Sequence, residues 1–180
     1  MTTPEFVLAL REKVGHDPLY MGGVTAVVVR DVPPGAAVWE VPDVLLVKRK
    51  DSEEWTPITG IIEPGDEPDD TAVREVWEEA GIDARVEALL GVGQVGPVTF
   101  PNGDQAYFLD TSMRLSQIGD ARPRVNDDEN IDVGWFTISQ LPPMKPRFRL
   151  IIADAVAQMK RPAGYRPRMG YHKRSTHPKD

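Results

Sequence analysis

Turn residues and apolar patterning divide this sequence into helix, strand, strand, helix, strand, strand, strand and helix, in that order. The order predicts an α/β domain in which a mixed sheet carries helices on both faces. Two further observations agree. The strand candidates are rich in β-branched residues, and the helical segments return apolar residues every three or four positions. No internal repeat or linker interrupts the pattern. One domain is therefore expected over residues 1–160, with an N-terminal helix over 4–15, a core over about 22–160, and a basic extension over 161–180.

Phe6, Val7, Leu10 and Val14 recur at helical spacing up to Gly15 and predict a short amphipathic helix. Gly23 to Arg30 (GVTAVVVR) reads as a buried strand. Pro33, Pro34, Gly35 and Pro42 make the next segment a loop insertion, and Asp43 to Arg49 (DVLLVKR) is a second strand antiparallel to the first. Asp51 to Pro57 is expected to be a turn, with Trp55 as core plug or pocket wall. Asp83 to Val95 and Asp104 to Leu115 are strand candidates, and Asn102-Gly103 between them is a hairpin signal. Asp132 to Phe136 (DVGWF) is a short strand. Phe148, Ile151, Ile152, Ala155 and Met159 mark a closing helix over Arg147 to Met159.

Of the 180 residues, 41% are hydrophobic and 27% charged, ordinary values for a globular chain. No apolar run approaches the roughly 20 residues that span a bilayer, and no secretory signal is evident at the N-terminus. The lack of cysteine excludes disulfides and thiolate chemistry; a cytoplasmic location is expected. The net charge of −7 is unevenly spread: Lys160 to Asp180 holds seven Lys/Arg against one acid, and the rest holds 14 against 27. An acidic body argues against broad nucleic-acid binding. The basic tail reads as a solvated or dimer-packing extension.

The most informative stretch is Gly60 to Ile82 (GIIEPGDEPDDTAVREVWEEAGI). It reads as a tight loop feeding a helix. Pro68 suits the first turn, Asp69 and Asp70 complement the N-terminal dipole, and Gly81 is placed to close the helix in a left-handed conformation. At roughly 100° per residue, Glu75, Glu78 and Glu79 centre about 160° from Val73, Val76, Trp77 and Ala80. One face is thus expected to bury, and the other to gather carboxylates facing solvent. Arg74, one turn before Glu78, can pair with it. Hard oxygen donors of this kind suit Mg²⁺ or Mn²⁺, ions that retain waters and bridge to phosphates.

With these residues the chain resembles the Nudix family, whose signature runs Gly, five residues, Glu, seven residues, Arg-Glu-apolar-x-Glu-Glu-x-Gly-apolar. Gly60, Arg74, Glu75, Val76, Glu78, Glu79, Gly81 and Ile82 match it, and Asp66 stands where glutamate is usual. The resemblance implies a Nudix-type α/β/α sandwich. It also implies divalent-metal-dependent hydrolysis of a nucleoside diphosphate linked to another group. Glu78 and Glu79 would be metal ligands, and Glu75 a ligand or the base that orients water. Arg74 would hold the glutamates, and the Thr59 carbonyl would be a further donor to metal. Asp66 would be structural. Of the acidic turn Asp127, Asp128 and Glu129, Glu129 best fits the further carboxylate that often completes such a site.

Substrate choice lies outside the signature. ADP-ribose-cleaving relatives often carry a proline a little beyond it, near the offset of Pro97, so ADP-ribose or a similar nucleotide sugar is favoured. A nucleoside triphosphate, oxidised nucleotides included, is the alternative, and a non-catalytic nucleotide-sensing module is a second. Homodimers are frequent in the family. An interaction protein working through the tail would lose function on deletion of Arg161 to Asp180. Gly91, Gly93 and Gly96 match a dinucleotide-binding G-x-G-x-x-G, but Pro97 and Pro101 follow where a helix is required. These glycines are read as loop or bulge residues. His16, His172 and His177 lack zinc-ligand spacing. Tyr107 and Phe108 point to opposite faces of a strand, so one of them at most can stack on a base.

Overall fold

The computed structural model describes residues 3–37, 39–100 and 102–171; His172, His177 and the end of the basic tail lie outside that set. The elements are α1 (Glu5–Val14), β1 (Leu19–Arg30), β2 (Asp43–Arg49), β3 (Trp55–Thr56), β4 (Ile58–Ile61), α2 (Pro68–Ala80), β5 (Ala84–Thr99), β6 (Gln105–Gln117), β7 (Asn130–Thr137), α3 (Pro146–Lys160) and β8 (Arg168–Met169). The strands form one mixed sheet in the order β3-β2-β1-β6-β5-β8, with β4 paired to β1 and β7 to β2.

The valine-rich β1 is the hub. It runs parallel to β6 from Leu19 to Val28, antiparallel to β4 through Gly23 to Ala26, and antiparallel to β2 at Val29 and Arg30. Alternation along the strand divides its side chains between two cores. Val24, Ala26 and Val28 join Ala72, Val76 and Ala80 of α2. Val27 and Val29 join Ile151, Ile152 and Ala155 of α3. The expected α/β/α sandwich results. Helix α1 lays Val7 against Met21 and Ala106 in a smaller cluster.

Two short strands fall where the sequence predicts no strand: Trp55–Thr56, inside the expected turn, pairs with β2, and Ile58–Ile61, running into the expected loop at Gly60, pairs with β1. Gly60 therefore sits in a strand and not in the loop before α2. Trp55 is a core plug, packed edge-on to Phe136 with ring centroids 4.6 Å apart. The Asn102-Gly103 hairpin forms as expected: Gly103 takes φ +88°, and β5 pairs antiparallel with β6 from Thr99 opposite Gln105.

The first part of the basic extension is ordered against the sheet. Arg168 and Met169 pair with Gly91 and Val92, and the Gly170 amide donates to Val92 O at 2.7 Å. Arg168 grips Asp154 of α3 through two nitrogens at 2.7 and 2.9 Å. Tyr171 donates to buried Asp110 at 2.6 Å and also contacts Ser112. This strap explains two of the three motif glycines. A Cβ on Gly91 would lie 2.6 Å from Arg168 O, and one on Gly93 would lie 2.6 Å from the Tyr171 ring.

Gly93→Ala is expected to cost about 1–3 kcal/mol through overpacking, lowering Tm by roughly 2–4 °C per kcal/mol. Gly164→Ala, where a Cβ meets nothing within 4 Å, should leave Tm unchanged. Equal melting of all three proteins would mean that Tyr171 does not rest on Gly93.

Candidate active site

Helix α2 forms as its caps require. Pro68 opens it, Asp69 and Asp70 occupy its first turn, and Gly81 closes it at φ 63° with its amide on Trp77 O at 2.9 Å. Its last carbonyls, which no helical amide can reach, are taken by the segment before β7. Arg124 N donates to Ala80 O at 2.9 Å, Asn126 N to Glu79 O at 3.3 Å, and Asn126 Nδ2 to Trp77 O at 3.0 Å. This stitching carries Asp127, Asp128 and Glu129 to the carboxylates of the helix.

The carboxylate face is covered, which corrects the expectation of a solvent-facing ridge. Glu75 is 4% exposed and Glu79 3%, whereas Trp77, expected in the core, is 53% exposed. Glu78 keeps 44% of its side chain open. The reason is that α2 buries two flanks. One meets the hydrophobic core, and the next meets β4 and the β7 entry, displacing the exposed side toward Trp77. Gly60 makes the second contact possible: a Cβ there would lie 2.3 Å from Glu75 Cγ and 2.4 Å from its Oε1.

Arg74 Nη1 donates to Glu75 Oε1 at 3.2 Å and to Glu78 Oε2 at 3.1 Å, holding both as expected. Its Nη2 lies 3.7 Å from Asp66 and has no hydrogen-bond partner. Asp66 therefore faces the arginine, with a reach one methylene shorter than that of glutamate. Glu79 Oε2 accepts from Asn130 Nδ2 at 3.0 Å. Glu129 pairs with Arg49 at 3.3 Å.

Burial is the main reason that the Glu75 carboxyl is pushed up to about 7; Glu78 adds to it, and Arg74 opposes it. Burial likewise pushes Glu79 up to about 8, with Glu75 and Asp127 adding and Arg49 and Asn130 opposing. These groups open on a cleft of about 530 Å³ whose described lining includes Glu63, Glu75, Glu78, Glu79, Asp127, Asp128 and Glu129, with Arg74 as its one cation.

Such a donor set fits a hard divalent ion, and the desolvated pair at Glu75 and Glu79 favours a cation over two bare charges. Among the described residues no three Asp, Glu or His side chains converge tightly enough to enclose an ion unaided. A cation that keeps several waters, as Mg²⁺ does, needs no such cage.

The structure thus brings Arg74, Glu75, Glu78, Glu79 and Glu129 together. Thr59 stands on β4 opposite Thr25, next to Gly60 but outside the lining. Phe108 packs with α1, and Tyr107 lies close to Gly96; neither lines the cleft. Sequence reasoning missed Arg49 and Asn130. They are register partners across β2 and β7, beside a bulge at Lys48/Arg49. Their only sequence signal was position, at the end of one strand and just after the acidic turn.

A carboxyl raised in the folded state stabilises the fold below its unfolded value of 4.5, and that contribution is lost as pH rises through about 7 and 8. Without divalent ions, Tm should fall between pH 5 and pH 8. Glu79→Gln should flatten that slope, each unit of lost shift being about 1.4 kcal/mol. Parallel pH profiles for wild type and variant would refute the burial of this charge. Gly60→Ala should displace Glu75 and cut activity while the circular dichroism spectrum stays native.

A family model described as the NUDIX domain matches residues 23–158. A putative 8-oxo-dGTP diphosphatase of Bacillus subtilis is 44% identical over 55 residues, 31% of this chain and 37% of that protein. The chain thus aligns with little more than a third of that curated relative's length. Among solved structures, a UDP-X diphosphatase superposes with a TM-score of 0.60 at 21% identity, covering 92% of this chain and 74% of that one. An ADP-ribose pyrophosphatase of Streptococcus suis gives 0.57 at 16% identity, covering 83% and 97%. These structural likenesses establish the shared fold. With the domain model spanning most of the sequence and the signature residues gathered at one cleft, the chain belongs to the Nudix family.

Proposed function

We propose that this chain is a divalent-metal-dependent pyrophosphohydrolase that cleaves a nucleoside diphosphate linked to another group, ADP-ribose or a similar nucleotide sugar being favoured. The observation that carries the reading is the buried pair Glu75 and Glu79, seated on Gly60 and flanked by Glu78 and Glu129. A structural role alone gives no reason to keep two desolvated carboxylates side by side.

Glu78 and Glu79 would hold Mg²⁺ or Mn²⁺. Glu75 would be a further ligand or would orient the attacking water, with Thr59 O as an added donor. When bound, the ion supplies positive charge at the phosphoryl oxygens. Arg74 fixes the spacing of Glu75 and Glu78. Glu129, steadied by Arg49, faces the same cleft. Water adds to one phosphorus of the diphosphate bridge, the bridging P–O bond breaks, and two phosphorylated products leave.

The likeness to the UDP-X and ADP-ribose enzymes supports a diphosphate flanked by two groups. The likeness to the 8-oxo-dGTP relative supports a second reading, an oxidised nucleoside triphosphate. The complete Arg74, Glu75, Glu78 and Glu79 set favours catalysis over nucleotide sensing. Among the described residues no helix is long and apolar enough to cross a membrane.

ADP-ribose, a UDP-sugar and 8-oxo-dGTP, each assayed with Mg²⁺ and Mn²⁺ for phosphomonoester or pyrophosphate release, should rank in that order. Cleavage of 8-oxo-dGTP alone would exchange the two readings. Glu78→Gln and Glu79→Gln should each lower turnover at least about 100-fold, the scale of losing one electrostatic stabiliser of a transition state. Full turnover in either variant removes the assignment.

A further inference from the structure

Asn130 opens β7 and belongs to no signature position, yet it touches carboxylates from two separate elements. It is 5% exposed. Its Nδ2 donates to Glu79 Oε2 on α2 at 3.0 Å, and to Asp127 Oδ1 and Oδ2 at 3.2 and 3.1 Å. Its backbone amide also donates to Asp127 Oδ1, at 3.2 Å. The NH₂ faces both acids, and Oδ1 turns away from them. That Oδ1 is buried and has no hydrogen-bond partner. The residue thus gives up one of its own hydrogen bonds to keep its donors on the two acids.

The residue type matters. A lysine or arginine here would neutralise Glu79 and compete with a cation, and an aspartate would repel it. A neutral amide fixes one oxygen of Glu79 without bringing in a competing positive charge. Arg49, opposite in register, grips Glu129 in the same layer.

We infer that Asn130 is a positioning residue for the reaction. Its amide holds Glu79 in one orientation and ties it to the loop bearing Asp127 and Glu129, so that helix and loop present their carboxylates at fixed spacing. This rests on the proposed role of Glu79. Loss of a partner that orients a metal-binding side chain typically costs 10–100-fold in affinity or activity, and a loss of about that size is expected here.

The test is titration of the full chain with Mn²⁺, followed by electron paramagnetic resonance without substrate, alongside steady-state kinetics. Asn130→Ala should weaken Mn²⁺ binding and lower kcat, each about 10–100-fold, with KM at saturating Mn²⁺ unchanged. Should that variant not fold, Asn130→Ser, too short to reach both acids, takes its place with the same expectations. A folded variant with wild-type Mn²⁺ affinity overturns the inference. Glu79→Gln separates the two failures. If it too keeps full affinity, the metal reading itself is wrong; if it alone loses affinity, only the role of Asn130 falls.

Discussion

Burying two neighbouring carboxylates is costly, because desolvation and mutual repulsion both favour the neutral acids. Much of the local architecture around Glu75 and Glu79 reads as compensation for that one constraint. Gly60 removes the side chain that would otherwise occupy the space of Glu75. Arg74 supplies charge from one side, Asn130 supplies a donor from another, and Arg49 opposes the upward shift of Glu79. The C-terminal carbonyls of α2, satisfied by Arg124 and Asn126, keep the covering loop in place. Removing any one of these leaves a buried charge less well met, which is why the site is assembled from residues as distant in sequence as 49 and 130.

The sandwich makes this tolerable by assigning different duties to its two faces. On the α3 side the sheet packs mostly apolar residues, and the strap through Arg168 and Tyr171 closes over Gly91 and Gly93. On the α2 side, core packing anchors one flank of the helix through Ala72, Val76 and Ala80. That anchorage fixes the helix while its next flank carries the acids. A helix held only by polar contacts would not keep Glu75 within touching distance of a strand backbone.

Much of this was legible in the sequence because it is local. Pro68, Asp69, Asp70 and Gly81 fix the ends of α2 by the chemistry of helix termini, and the Glu75-Glu78-Glu79 spacing follows from helical geometry. What stayed hidden depends on partners far along the chain. Periodicity placed Trp77 in the core because it averages over one apolar arc, and it could not show that β4 would cover the carboxylate flank instead. The short strands β3 and β4 lack enough residues to show alternation. Gly91 and Gly93 looked like loop glycines because their reason, the backbone at Arg168 and the ring of Tyr171, lies some 77 residues on. Arg49 and Asn130 acquire meaning only through strand register.

The sign of the site's charge narrows its chemistry further. Among the described residues seven acids and one arginine line the cleft, and the whole chain carries −7. A polyanionic ligand approaching such a surface meets repulsion unless the acids are protonated or cations stand between. Protons alone would spend the charge: at the raised values of about 7 and 8, Glu75 and Glu79 hold protons under conditions where ordinary carboxylates have lost theirs. On the proposed reading, cation binding at these groups would be an exchange, with metal entering as protons leave. The same burial that destabilises the bare carboxylates would strengthen their attraction for a divalent ion, so on the proposed reading an acidic cleft that repels phosphates on its own would, with an ion held there, attract them.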